Sequence, residues 1–351
     1  MAASTNVASG RMQRLLRLYI ENMNPSTRIA FSVAFVCLLF TFTLPASAQI
    51  VPLYGATIAR FATADESRLR LGTRDEFVMA MGDYDRSART GRRGTVTEAQ
   101  FLNYAAGQAL DWSPGDITKL TALIAKISAE LKPLRLSMPK EVWLVKTTGR
   151  EEAETGYTRA NAIVLPQQYM EIAAEELERI LIHELFHVIS RHLSERRTTL
   201  YAIVGFRDCG PLKWPVELAP RRITNPDAPN DRYCVTLQRS GAALTFYPIL
   251  FAKEDVFDPA LPGTYLERLL FKLLAVMGAG TDWTAGRAGE SLVMLDPATV
   301  PEYFTAIGLN TRYIIHPEEI LADNFTLLVR GERKVRTPRI LDELKRVLAE
   351  P

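Results

Sequence analysis

An α+β fold is what this sequence predicts: a small mixed sheet with one long helix lying on it, followed by a mainly helical C-terminal lobe. Three observations lead there. Residues 141–147 alternate in strand fashion and residues 157–165 form a second extended run. Residues 171–197 open with acidic and Ala residues after Pro166 and continue as a helical run. Pro317 then places a proline at the first position of another helix, with Glu318 and Glu319 in its first turn. With 351 residues, 47% of them hydrophobic, the chain can bury one large core or two modest ones.

The first 48 residues read as a targeting segment. Arg11, Arg14, Arg17 and Arg28 precede an apolar run over 29–44, and Ala46-Ser47-Ala48 offers a small-residue cleavage site before Gln49. Met23 would give a shorter basic region as an alternative start. Retained, the same segment would be a membrane anchor, although its apolar run is short for a span. After cleavage two cysteines remain, Cys209 and Cys234; in an exported chain they predict a disulfide worth about 3 kcal/mol through loop closure. The expected location is therefore secreted or periplasmic.

Residues 49–135 read as a mostly helical region with short extended pieces over 51–61. Helices are expected at 77–81, 97–110 and 116–134, the last with Ile117, Leu120, Leu123, Ile124, Ile127 and Leu131 on one side. Between them, Arg86, Arg89, Arg92 and Arg93 mark residues 85–94 as a solvated loop, or as a processing site. A second domain is expected over 136–351, with a long insertion at 198–300. Within it, prolines 211, 215, 220, 226 and 229 indicate an ordered loop, strands are expected at 233–238 and 242–251, and a helix at 264–277. The formal net charge of +2 and the lack of a basic stripe argue against nucleic acid as a partner.

The chemistry concentrates in His183-Glu184-Leu185-Phe186-His187. Residues four apart on a helix lie about 40° apart around the axis and roughly 6 Å along it, so the two imidazoles can grip one ion, for which zinc is the expected choice. Glu184 stands one step around the helix, where a carboxylate can reach water at that ion without being a ligand. With only four histidines in the chain, a chance occurrence of this pattern has a probability on the order of a few in a thousand. Downstream, Glu319 and Asp323 also share a helix face. One can complete the coordination while the other accepts a hydrogen bond from a ligand imidazole. Glu318 is the rival ligand, but Ala322 stands where its own partner carboxylate would be.

An HExxH helix followed by Glu319-x-x-Ala-Asp323 resembles the gluzincin metallopeptidases, including neprilysin-like families. The resemblance implies a zincin-like fold and one zinc ion held by His183, His187 and Glu319. It also implies Glu184 as general base and Asp323 as the partner of His183. Gluzincins commonly stabilise the oxyanion with a Tyr or His; Tyr313 and His316 are the candidates here, with Tyr303 further back. Zincins bind extended peptides along an edge strand, and by that resemblance residues 160–165 are the candidate; an ordinary internal strand is the other reading of the same residues. The expected substrate is a peptide or protein. Two other functions fit the same residues: a non-catalytic zincin-like binding protein, and hydrolysis of a non-peptide amide such as a cell-wall bond.

Overall fold

The computed structural model describes residues 49–350 other than Ser240; the expected signal segment over 1–48, with Cys37, lies outside the described residues. Apolar alternation makes a hairpin of β1 (Ile50–Tyr54) and β2 (Thr57–Phe61), which bury Val51, Leu53, Ala59 and Phe61. Four short helices follow: α1 (Ala64–Leu71), α2 (Glu76–Ala80), α3 (Asp83–Thr90) and α4 (Glu98–Ala106). Thr63 and Thr97 start α1 and α4 with reciprocal capping boxes, and Ser113 does the same for α5 (Pro114–Leu131), which comes after the short β3 (Ala109–Leu110). The expected apolar stripe of α5 is buried at Leu120, Leu123, Ile124, Ile127 and Leu131.

The remaining strands of this half are β4 (Glu141–Thr147), β5 (Tyr157–Arg159) and β6 (Ala162–Pro166). The sheet runs β1-β2-β4-β6-β5, with β3 also paired to β4. It is mixed, as expected: β4 is parallel to both β2 and β6, and the other pairs are antiparallel. Residues 157–165 are thus not one strand. The chain reverses at Ala160, whose φ is 51°, and β6 lies inside the sheet. The free edge belongs to β5, so residues 160–165 cannot accept a strand.

Against this sheet lies α6 (Ala174–His192), whose Leu177, Leu181 and Leu185 join Leu144, Ile163 and Leu165 in one buried cluster. After α7 (Arg197–Ala202) the strands expected at 233–238 and 242–251 are present, within a larger sheet than the sequence indicated. β7 (Phe206–Asp208), β8 (Tyr233–Arg239), β9 (Ala242–Ala252), β10 (Leu269–Ala279) and β11 (Asp282–Ala285) form an antiparallel sheet in the order β11-β10-β9-β8-β7. β12 (Arg287–Ala288) and β13 (Ser291–Leu292) pair with each other, and β14 (Met294–Leu295) pairs with β10.

The helix expected at 264–277 is a single 3₁₀ turn, Tyr265–Arg268, followed by β10. Its apolar run suits either period; unbroken pairing with β9, from Leu269↔Ala252 to Val276↔Thr245, decides for the strand. The insertion between α7 and Pro301 is therefore mainly sheet, and the helical part that carries Glu319 is confined to residues 301–348. Helices resume with α8 (Pro301–Ile307), α9 (Pro317–Val329) and α10 (Pro338–Leu348).

The presumed loop at 85–94 is also corrected. Most of it is α3, and Arg89 is fully buried, bonded to Asp85 on its own helix, to both carboxylate oxygens of Glu152 and to the Thr224 carbonyl. A guanidinium is tolerated there because its charge is paired on two sides. Cys209 and Cys234 form the expected disulfide. Among the described residues, no helix is long and apolar enough to cross a membrane.

Candidate metal centre

The two chemistry-bearing helices meet side by side. Acidic Glu175 and Glu176 in the first turn of α6, and Arg191 and His192 in the last, complement its dipole, while residues 181–190 between them are buried. On α9, Pro317 occupies the first turn, and Nδ1 of His316 accepts the otherwise unpaired Glu318 N–H at 3.1 Å. Ile320, Leu321 and Phe325 turn α9 into the shared core, where Phe325 packs on Phe186 at 5.6 Å between ring centres. That packing brings the acidic face of α9 over the histidines of α6.

His183, His187 and Glu319 come together so that one donor atom from each lies within 4.8 Å of the others, a group that could hold a metal ion. His183 Nε2 is 3.1 Å and His187 Nε2 3.6 Å from Glu319 Oε2. The opposite ring nitrogens are held by carboxylates: His183 Nδ1 by Asp323 and His187 Nδ1 by Glu318, each at 3.0 Å. A proton on each Nδ1 directs the Nε2 lone pairs at a common point. The buried Nε2 of His187 makes no hydrogen bond. A buried imidazole nitrogen left without a partner, facing a carboxylate, is what a cation would satisfy.

Charge tells the same story. Burial alone would lower the His183 pKa, yet its bonds to Asp323 and Glu319 raise it to about 9. Against burial, His187 and His183 hold Glu319 well below the usual carboxylate range. Glu184, Glu318, Glu319 and Asp323 lie around the two imidazoles, with Arg179 3.8 Å from Asp323, while burial, aided by Glu184 and Glu319, pushes the Asp227 carboxyl well up. The donor set, a carboxylate and two imidazoles that would give up their Nε2 protons to a cation, fits a tetrahedral divalent ion.

Glu184 is oriented by the β5 edge: Thr158 Oγ1 donates to Oε2 at 2.8 Å, leaving Oε1 for other work. A cavity of about 280 Å³ opens onto His183, Glu184 and Asp323 and is walled by Gly156, Tyr169, Arg179, Ile180 and Tyr313. Tyr313 stacks on the His183 ring at 6.0 Å and is 43% exposed. His316 lies at the start of the ligand helix, close enough to Glu318, Glu319 and His187 to feel their charges. It packs edge-on against Tyr201 and Tyr233, caps α9 and does not line the cavity; burial pushes its pKa down to about 4. Tyr303 is buried and donates to the Ile314 carbonyl at 2.7 Å. His192 lies at the end of α6, 3.3 Å from Ser137.

Several participants were not legible as such. Glu318, weighed only as a rival ligand, is the orienting partner of His187 and is itself fixed by Ser190 at 2.7 Å and Tyr201 at 2.5 Å. Thr311 donates to Asp323, and Asn225 to Glu319 Oε1 at 2.6 Å. Arg179 reaches the cavity from one turn before His183. Of these, Arg179 alone carried a signal, its place on the histidine face of α6. Comparison with protein-family models, with curated proteins and with solved structures returns no match.

Proposed function

We propose that this protein is an exported zinc metallopeptidase with a gluzincin-type centre. The observation that carries the reading is the convergence of His183, His187 and Glu319 with a separate carboxylate behind each imidazole. Bound there, zinc would supply Lewis-acid polarisation of a carbonyl and acidify a water toward pH 7.

The protein's own groups do the rest. Glu184 Oε1 accepts the proton of the attacking water and delivers it to the leaving amine, while Thr158 keeps Oε2 in place. Asp323 and Glu318 keep the imidazole protons on Nδ1, so that both Nε2 atoms stay available. Tyr313, beside His183 at the cavity wall, is assigned the developing oxyanion, with Arg179 adding positive charge at the same wall. His316 has no part in this assignment, because it faces Tyr201 and Tyr233.

The test is metal analysis of purified residues 49–351 together with casein turnover. Wild type should hold one zinc and cleave; Glu319→Gln should lose metal; Glu184→Gln should keep metal without turnover. Zinc bound equally well by Glu319→Gln would overturn the ligand assignment, and zinc without turnover on any peptide would overturn the activity.

A further inference from the structure

A segment of the inserted lobe reaches back into the centre in a way that the hydrolytic reading does not use. Residues 224–227 are pinned at several points. Thr224 donates to Asp85 through both N–H and hydroxyl, at 3.0 and 2.8 Å, and its carbonyl accepts from Arg89. Asn225 bonds the ligand carboxylate of Glu319 and also accepts from the Asp227 N–H at 3.0 Å. Arg191, on the last turn of α6, donates to the carbonyls of Pro226 and Asp227 at 2.8 and 2.9 Å.

Two consequences meet at Asp227. Its carboxylate forms a second candidate ion-holding group with Glu184 and His187, their donor atoms all within 4.8 Å of one another. It therefore lies beside the general base, next to the imidazole whose Nε2 has no partner. The second consequence concerns the sheet edge. Thr158 is the middle residue of β5, opposite Ile163 in an antiparallel hairpin closed at Arg159↔Ala162, so its N–H and C=O face outward. Asp227 Oδ1 accepts that N–H at 2.7 Å and Arg191 donates to that C=O at 3.2 Å. An extended peptide would need these same two groups.

We propose that Asp227, which meets His187 but lies outside the His183–His187–Glu319 group in this structure, closes onto the metal as a fourth protein donor, and that residues 224–227 form a strap covering the β5 edge until a peptide displaces it. This rests on the metal-centre reading above. The disulfide between Cys209 and Cys234 closes the segment that carries the strap and limits how far it can swing.

The experiment uses residues 49–351 loaded with zinc or with cobalt(II). Asp227→Asn should lower zinc affinity about tenfold in competition with a chelator, shift the cobalt visible absorption and raise kcat/KM on casein, and Asp227→Ala, which also removes the acceptor of the Thr158 N–H, should speed amide exchange at Thr158 as well. Arg191→Gln, which leaves the carboxylate in place but frees the strap backbone, should also speed Thr158 exchange and raise turnover. Unchanged zinc affinity and cobalt absorption in Asp227→Asn overturn the strap, whatever turnover does, and so does faster exchange accompanied by lower turnover. His187→Ala separates the two ideas. If it still binds zinc like wild type, the centre itself is misassigned; if it loses zinc while Asp227→Asn behaves as wild type, only the strap fails.

Discussion

Glu318 Oε1 lies 3.0 Å from His187 Nδ1, just as Asp323 Oδ1 lies 3.0 Å from His183 Nδ1, so each imidazole is oriented by its own carboxylate from α9. The two arrangements differ in depth. Glu318 is buried, and against that burial the charge and hydrogen bond of His187 keep it ionised below the usual carboxylate range. Glu318→Gln is therefore expected to weaken zinc binding about 10- to 100-fold without removing a ligand, as chelator competition would show.

Tyr313→Phe removes a hydroxyl and keeps the ring on His183. Turnover should fall about 10²-fold or more while zinc content stays at the wild-type value. An equal loss from His316→Gln, with folding intact, would move the oxyanion role to the helix cap.

Burial of Arg89 between Asp85 and Glu152 makes that cluster a structural joint between α3, the turn after β4 and the strap. Arg89→Met leaves two buried carboxylates facing each other and should cost about 3–5 kcal/mol in chemical denaturation. Arg92 and Arg93, exposed in the turn that follows, should tolerate Ala with changes of about 0.5 kcal/mol or less.

Glu151 supplies a pH dependence away from the metal. Burial, with a smaller push from Glu152, raises its carboxyl from 4.5 to about 7, although Thr147 and Tyr157 bond it. The folded state thus holds this proton more tightly than the unfolded chain. Its contribution is full below pH 4.5 and fades as pH rises through about 7, a loss of roughly 3 kcal/mol at most. Denaturation at pH 5 and pH 8 should show a smaller pH difference in Glu151→Gln than in wild type.

The parts of this molecule that the sequence made readable are those whose signal is local. His183, Glu184 and His187 share one helix, Glu319 and Asp323 another, and the stripe of α5 repeats at helical period. What stayed hidden depends on partners far along the chain. Arg89 looked solvated because Glu152, 63 positions away, and the Thr224 carbonyl, 135 away, complete its environment. Residues 269–277 fit a helix until β9 is placed beside them. Asn225 and Asp227 sat in a proline-rich stretch whose composition signals a turn and nothing about its destination.

The spacing of the metal donors also sets an order of events in time. Two histidines emerge together on α6, but Glu319 follows His183 by 136 positions, and Asn225, which fixes Glu319, belongs to the lobe made in between. Contacts between such distant positions close late, because a long stretch of chain must be ordered first. A nascent chain therefore carries an incomplete centre until the intervening lobe has been delivered. On the proposed reading, the peptidase cannot attack itself or its neighbours while it is still being made.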